Sequence, residues 1–440
     1  MKYLNYFLLF FLLSAQTVFG QLTAGVATTN ITPALGAPME GYYFARPATG
    51  VHDDLFAKAV VLNDGSTTVA IVILDLVDVA QTAFDEAREQ IERELGIPRE
   101  NIIVSATHTH TGPLFTPEYK SGLASKIVDA VQIAAQRQQP VVIKSGVEQA
   151  EGVAFHRRFM MKDSTVRFNP GYENPDIVRP MGPVDPEVGI LKIESLGGET
   201  LAILVNFAIH LDTIGGTEIS ADFPVFLTEI LQRMYGPQAV VFFALGTCGN
   251  INHINVAQQD TLEGFQRSER IGHALAASVI RASPALTKAE SRQLKVGHQP
   301  VFLRTPTYTE AQVAEARVNA QKESDKEAST PEIREAMKIL RVDGKQGQPW
   351  EVEVQTIGLG DIGIVALPGE IFVELGLAIK EQSPYQHTFI FTLANNDLGY
   401  VPNEAAYPYG AYEVEVSNIA PGEGEKLVAT AVTLLKTMKE

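Results

Sequence analysis

Short apolar runs alternate with stretches of helical periodicity along most of the chain. Residues 69–74 (VAIVIL), 102–104, 201–209, 240–244 and 388–393 are β-branched or aliphatic and short, which predicts buried strands. Residues 82–95, 120–136, 224–234, 262–280, 371–382 and 427–438 carry apolar positions at helical spacing and predict amphipathic helices. Residues 141–193 are expected to be strand-like, broken by a Pro/Gly-rich loop over 169–186, and residues 352–367 to form two strands joined through 358–363. The charged segment 310–340 predicts two helices, with Pro331 opening the second in its first turn, and reads as a solvated flap. This alternation predicts an α/β protein, mixed β-sheets flanked by helices in a single large domain over 21–440. Sites in such folds sit at the carboxyl ends of strands.

Residues 1–20 stand apart from that pattern. One lysine, an apolar run over 6–13 and small residues near Gly20 make a secretory signal peptide, too short to span a bilayer comfortably. The mature protein is expected to be secreted or periplasmic, with no stable membrane anchor after cleavage. Cys248 is the only cysteine, so no intrachain disulfide can form and stability must come from burial. With 52 acidic against 35 basic residues, the formal charge of −17 argues against nucleic-acid partners and anionic lipid surfaces. A neutral or cationic substrate suits it better.

The chemistry gathers where strands end. In NIIVSATHTHTGP, over residues 101–113, an apolar run passes directly into polar residues. On an extended backbone His108 and His110 would point one way and Thr107, Thr109 and Thr111 the other, until Gly112-Pro113 turns the chain. Two imidazoles so placed can both hold a metal, or one can hold it while the other moves protons. A transition metal needs three or four N, O or S donors. His210 closes the run LAILVNFAIH, and Glu370 follows another strand in Leu367-Pro368-Gly369-Glu370, where a helix N-terminus would favour its ionised form. The loop over 395–413 carries Tyr400, Tyr407, Tyr409 and Tyr412, and a phenol can donate to a developing oxyanion or bind a metal.

Taken in order, Ile31-Thr32-Pro33, Met39-Glu40-Gly41-Tyr42, the segment from Val51 to Leu55, THTHTGP, NFAIH, PGE, and GY with YE twelve residues later resemble the neutral/alkaline non-lysosomal ceramidase family. The resemblance implies an exported zinc amidase, one Zn²⁺ per chain, acting on a lipid or small-molecule N-acyl amide such as ceramide. It matches His108, His210, Glu370 and Tyr400 to the zinc ligands, His110 to a residue assisting proton transfer and Tyr412 to the phenol that stabilises the reacting carbonyl. Arg157 matches a substrate-contacting arginine, although His156 stands where the family has Asn.

Two departures bear on substrate. The family's Gly-Asp-x-Ser-Pro-Asn segment is replaced here by Gly249-Asn250-Ile251-Asn252-His253, so Asn252 stands in the place of the active-site serine. The family's C-terminal immunoglobulin-like domain is not expected either. Asn252 can still donate a hydrogen bond to substrate but cannot act as nucleophile or base. The alternatives are a metal-dependent hydrolase of a non-ceramide amide or ester, and a non-catalytic secreted metal-binding protein. Cys248 is expected to be a small apolar filler, His253 a neighbour of the site, and Asp75 and Asp222 structural caps.

Overall fold

Two β-sheets stack face to face and carry helices on their outer sides. The computed structural model describes residues 21–42, 45–321, 331–345 and 348–440, so the expected signal at 1–20 lies outside the described residues. The larger sheet contains β1 (Thr23–Asn30), β2 (Phe56–Asn63), β3 (Thr68–Leu74), β4 (Ile102–Ala106), β5 (Gln139–Gln149), β6 (Glu187–Ser195), β7 (Thr200–Phe207) and β8 (Val240–Leu245). Its order is β8-β7-β6-β5-β1-β2-β3-β4, with the short strand Thr287–Lys288 added against β5. The pairs at the two ends, β7/β8 and β3/β4, are parallel, and the pairs between them are antiparallel. Each parallel pair needs a crossover, made by α1 (Gln81–Leu95) between β3 and β4 and, beyond α2 (Pro117–Gln136), by α3 (Pro224–Tyr235) between β7 and β8. A fourth helix, α4 (Gly264–Ala282), packs beside α3.

The smaller sheet runs β9 (Leu294–Leu303), β10 (Trp350–Leu359), β11 (Ile362–Ala366), β12 (His387–Phe391), in that order. Two helices, α5 (Glu310–Ala320) and α6 (Pro331–Asp343), form a hairpin between β9 and β10, while α7 (Val373–Gln382) and α8 (Glu423–Lys439) complete the chain's long helices. Three apolar clusters separate the layers. One joins α1–α4 to the large sheet, a second fills the space between the sheets, and a third lies between the small sheet and α7 and α8. Strand β2 shows why the apolar runs are nearly continuous: Ala57, Ala59 and Val61 face the helices while Val60 and Leu62 face the other sheet. Each such Val or Leu contributes roughly 1.5–3 kcal/mol when fully buried.

The expected Pro/Gly-rich loop over 169–186 contains a strand after all. Arg158–Met161 is paired on one edge by Val166–Phe168 and on the other by Ile177–Pro180, so a small three-stranded sheet forms there. The segment after β12 links the free edges of the large sheet. Thr392 N–H donates to Leu245 O (2.9 Å), Ala106 N–H to Leu393 O (3.3 Å) and Asn395 N–H to Val104 O (2.8 Å). The carboxyl ends of β4 and β8, with β7 beside it, are thereby drawn to one place.

Candidate metal centre

His108, His210 and Glu370 meet where those strand ends converge. His108 Nε2 lies 3.1 Å from His210 Nε2 and 3.4 Å from Glu370 Oε2, and His210 Nε2 is 3.6 Å from the same oxygen. All three side chains are buried. A tetrahedral ion with bonds of about 2.0–2.1 Å places its donors about 3.3–3.4 Å apart. The observed triangle therefore fits a zinc-sized ion without rearrangement.

The donors are also of the right kind. His108 Nδ1 faces Val77 O at 2.6 Å, and a carbonyl only accepts, so Nδ1 carries the proton and Nε2 presents a lone pair. Glu370 Oε2 is buried and receives no hydrogen bond. The His108 lone pair and the Glu370 carboxylate oxygen, turned towards one another in a buried space, are stabilised by a positive charge between them. Positive charge is favoured at this point: burial opposes a charged His108, yet the adjacent Glu370 carboxylate raises its pKa overall. Burial pushes the Glu370 carboxyl upwards, but His108, Arg157 and a hydrogen bond from Tyr400 bring it below the usual range. Burial, followed by Arg157 and His108, drives His210 well down, so its imidazole is neutral.

Two expectations about local structure are corrected here. The strand carrying the histidine pair ends at Ala106, and His108 has φ of 76°, a left-handed conformation that a bulky residue rarely adopts. The two imidazoles still converge, at 3.4 Å between Nε2 atoms, because the backbone is bent and not because side chains alternate along a strand. Glu370 likewise is not in a helix's first turn. Glu370–Ile371 pairs in parallel with Tyr400–Val401, which removes both residues from the helix and delays α7 to Val373. That ladder sets Glu370 directly beside Tyr400. Gly369 permits it, with φ of 82° and no room for a Cβ, which would lie 2.5 Å from Gly399 O.

His110 borders the triangle. Its Nδ1 faces Gly41 O at 2.8 Å, which leaves Nε2 as the acceptor, and burial followed by His108 lowers its pKa to about 4. Gly41 has φ of 95°, and a Cβ there would sit 2.6 Å from the His110 backbone. Tyr412 stands edge-on to Tyr400 with ring centroids 5.6 Å apart. His108, His110, Glu370, Tyr400 and Tyr412 all line a cleft of about 840 Å³.

Arg157 and Asn252 are placed otherwise than the resemblance implies. Arg157 is fully buried, its guanidinium donating to Glu413 (2.8 Å) and Gly249 O (2.7 Å) with the Tyr400 ring at 5.3 Å, so it braces Tyr400 from behind the cleft. Asn252 is buried too. It donates to Asn169 Oδ1 (3.1 Å) and accepts from Ile254 N–H (3.0 Å), and neither it nor Arg157 lines the cleft. Asn250 holds the start of α7 through Val373 N–H (2.9 Å) and Glu374 (2.7 Å). His253 lies 3.0 Å from Asp212. Cys248 approaches donor atoms of His210 and Glu370 within 4.8 Å, and burial raises its thiol well above the ordinary value, so it is present as the neutral thiol. Asp75 meets Lys58 (3.1 Å), and Asp222 accepts from Thr213 N–H (3.0 Å) and Ser268 (2.8 Å), both as structural caps.

The hairpin is not a solvated flap. Its second helix, α6, forms one wall of the cleft through Arg334, Met337, Lys338, Leu340 and Arg341. Across from it lie Glu40, Asp78 and Asp397, to which the sequence reading assigned no role. Burial, and after it the Asp397 carboxylate, push the Glu40 carboxyl up to about 7.

The layered α/β architecture, two stacked mixed sheets with helices outside, is a ceramidase-like fold. Two solved structures share it: a neutral ceramidase from Pseudomonas aeruginosa (18% identity, TM-score 0.74) and a ceramidase complexed with C2 (17% identity, TM-score 0.75). Each alignment covers 95% of this chain and 75% of the other. No family model matches the sequence.

Proposed function

We propose that this protein is a zinc-dependent hydrolase of N-acyl amides, ceramide-like lipids included, acting outside the cytoplasm after removal of residues 1–20. The observation that carries the reading is the 3.1–3.6 Å triangle of His108, His210 and Glu370 opening onto the cleft. Those three residues would hold the ion, and Tyr400 beside Glu370 would be the fourth donor. Bound there, zinc supplies a Lewis acid and lowers the pKa of a water molecule to about 7. The remaining work falls to side chains. His110 Nε2, its lone pair directed by the Nδ1 contact to Gly41, accepts a proton from the attacking water and returns it to the leaving nitrogen. Tyr412 donates to the carbonyl oxygen as charge develops on it. Arg157 acts through Tyr400 and Glu413, and Asn252 supports the chain around the site.

An open cleft beside a neutral, correctly oriented imidazole supports an enzyme over a scaffold whose metal is purely structural. Substrates are small molecules or lipids, and the net charge of −17 argues against nucleic acid. The test is incubation of the zinc-loaded protein with a panel of N-acyl amides and esters, following fatty-acid release. Release that stops with a chelator is expected. A protein that binds zinc yet cleaves no amide would overturn the amidase assignment.

A further inference from the structure

The cleft-facing side of α6 carries a stripe that amide hydrolysis does not require. Arg334, Met337, Lys338 and Arg341 recur at i, i+3, i+4 and i+7, so they share one face, and all four line the cleft. Ile333, Ala336 and Ile339 on the other side are buried, with Ala336 and Ile339 clustered against Val313 and Ala316 of α5, so packing decides which face turns inward. In a chain of net charge −17, three cations on that one face are a local reversal.

Two of the three have partners. Arg341 meets Asp397 at 2.7 Å, and Arg334 meets Glu415 at 3.3 Å with its guanidinium over the Tyr412 ring. Lys338 is half-buried and, among the described residues, makes no hydrogen bond or ion pair. Burial lowers the pKa of its ammonium even though Glu335 and Glu415 act in the opposite direction. An ammonium that has lost part of its water without a carboxylate in direct contact carries a cost that a ligand anion would offset. Met337, Leu340 and Val416 provide apolar surface in the same cleft.

We propose that Lys338 is the counter-ion for an anionic group on the substrate, so that the cleft selects amphiphiles bearing a carboxylate, sulfonate or phosphate over neutral ones. The hydrolytic consequence rests on the amidase reading; the binding consequence does not. The probes are octanesulfonate and 1-octanol, titrated by calorimetry into the wild-type protein, Lys338→Gln and Lys338→Arg. Sulfonate is a poor metal ligand, so the comparison reports the cleft wall.

Wild type should bind octanesulfonate about tenfold more tightly than 1-octanol; Lys338→Gln should lose that preference and Lys338→Arg should keep it. No preference in the wild type, or a preference that survives in Lys338→Gln, overturns the proposal. In the hydrolytic arm, N-octanoyl amides ending in carboxylate, sulfonate or phosphate are compared with a neutral one, and the anion with the lowest KM identifies the natural group. Selective binding without hydrolysis of any amide would leave the Lys338 subsite standing and remove the amidase.

Discussion

The two walls of the cleft are built in opposite ways. His108, His210 and Glu370 sit where strands of two stacked sheets end, fixed by backbone hydrogen bonds and buried among the large apolar clusters. The α5/α6 hairpin has a small apolar cluster of its own, centred on Val313, Ala316, Ala336 and Ile339. It is fastened to the rest by ion pairs such as Arg341–Asp397 and Arg334–Glu415. Chemistry that needs donors held to a few tenths of an ångström is placed on the rigid wall. Selection among substrates, which tolerates adjustment, falls to the other. Backbone strain sits on the rigid side as well: His108, Leu393 and Asn395 are non-glycine residues with positive φ at the junction of the sheets.

If that contrast holds, the largest effects belong to the sheet side. His108→Ala or His210→Ala should abolish metal binding and cut activity on the order of a thousandfold, read by metal analysis and amide turnover together. His110→Ala should retain the metal and lose about a hundredfold in kcat. Equal metal loss in all three variants would make His110 a ligand and erase the distinction between holding and proton transfer.

The acidic patch facing α6 gives an intermediate effect, on stability. The Glu40 carboxyl titrates at about 7 in the folded protein against 4.5 ordinarily. A carboxyl raised by folding favours the folded state fully below pH 4.5, and that contribution is lost as pH rises to 7. Glu40→Gln should therefore stabilise the protein at pH 8 by on the order of 2 kcal/mol and leave it unchanged near pH 4, as thermal melts at the two pH values would show. The smallest effect belongs to the hairpin's fastening. Arg341→Ala breaks an exposed ion pair, so it should change stability by less than about 1 kcal/mol and raise KM a few-fold with kcat intact. A large drop in melting temperature would mean that the hairpin is integral to the core.

The same contrast explains what the sequence could tell. His108, His210 and Glu370 each follow an apolar run, and a strand buried on both faces announces itself through such runs, so the layered fold and the candidacy of these residues were legible, while the expectation that they share one ion came from the family resemblance. Strands β1 and β9 were not, since TAGVATTN and LKVGHQPVFL lack an unbroken aliphatic core. The bend at His108 and the ladder that takes Glu370 out of α7 depend on partners more than twenty residues away, which no local pattern encodes. The hairpin was misjudged because a charge facing a cleft and a charge facing water look alike in one dimension. Arg157 and Asn252 show the limit of transfer by resemblance: the residues match or replace family positions, but Glu413, Gly249 and Asn169 have claimed their polar groups.

The measurement that bears most directly on this account is anomalous diffraction at the zinc edge from crystals of the zinc-saturated protein. One peak is expected, about 2.0–2.2 Å from His108 Nε2, His210 Nε2 and a Glu370 oxygen. A map with no peak among these three side chains, or with its peak at a different place, would contradict the claim that they form a metal centre.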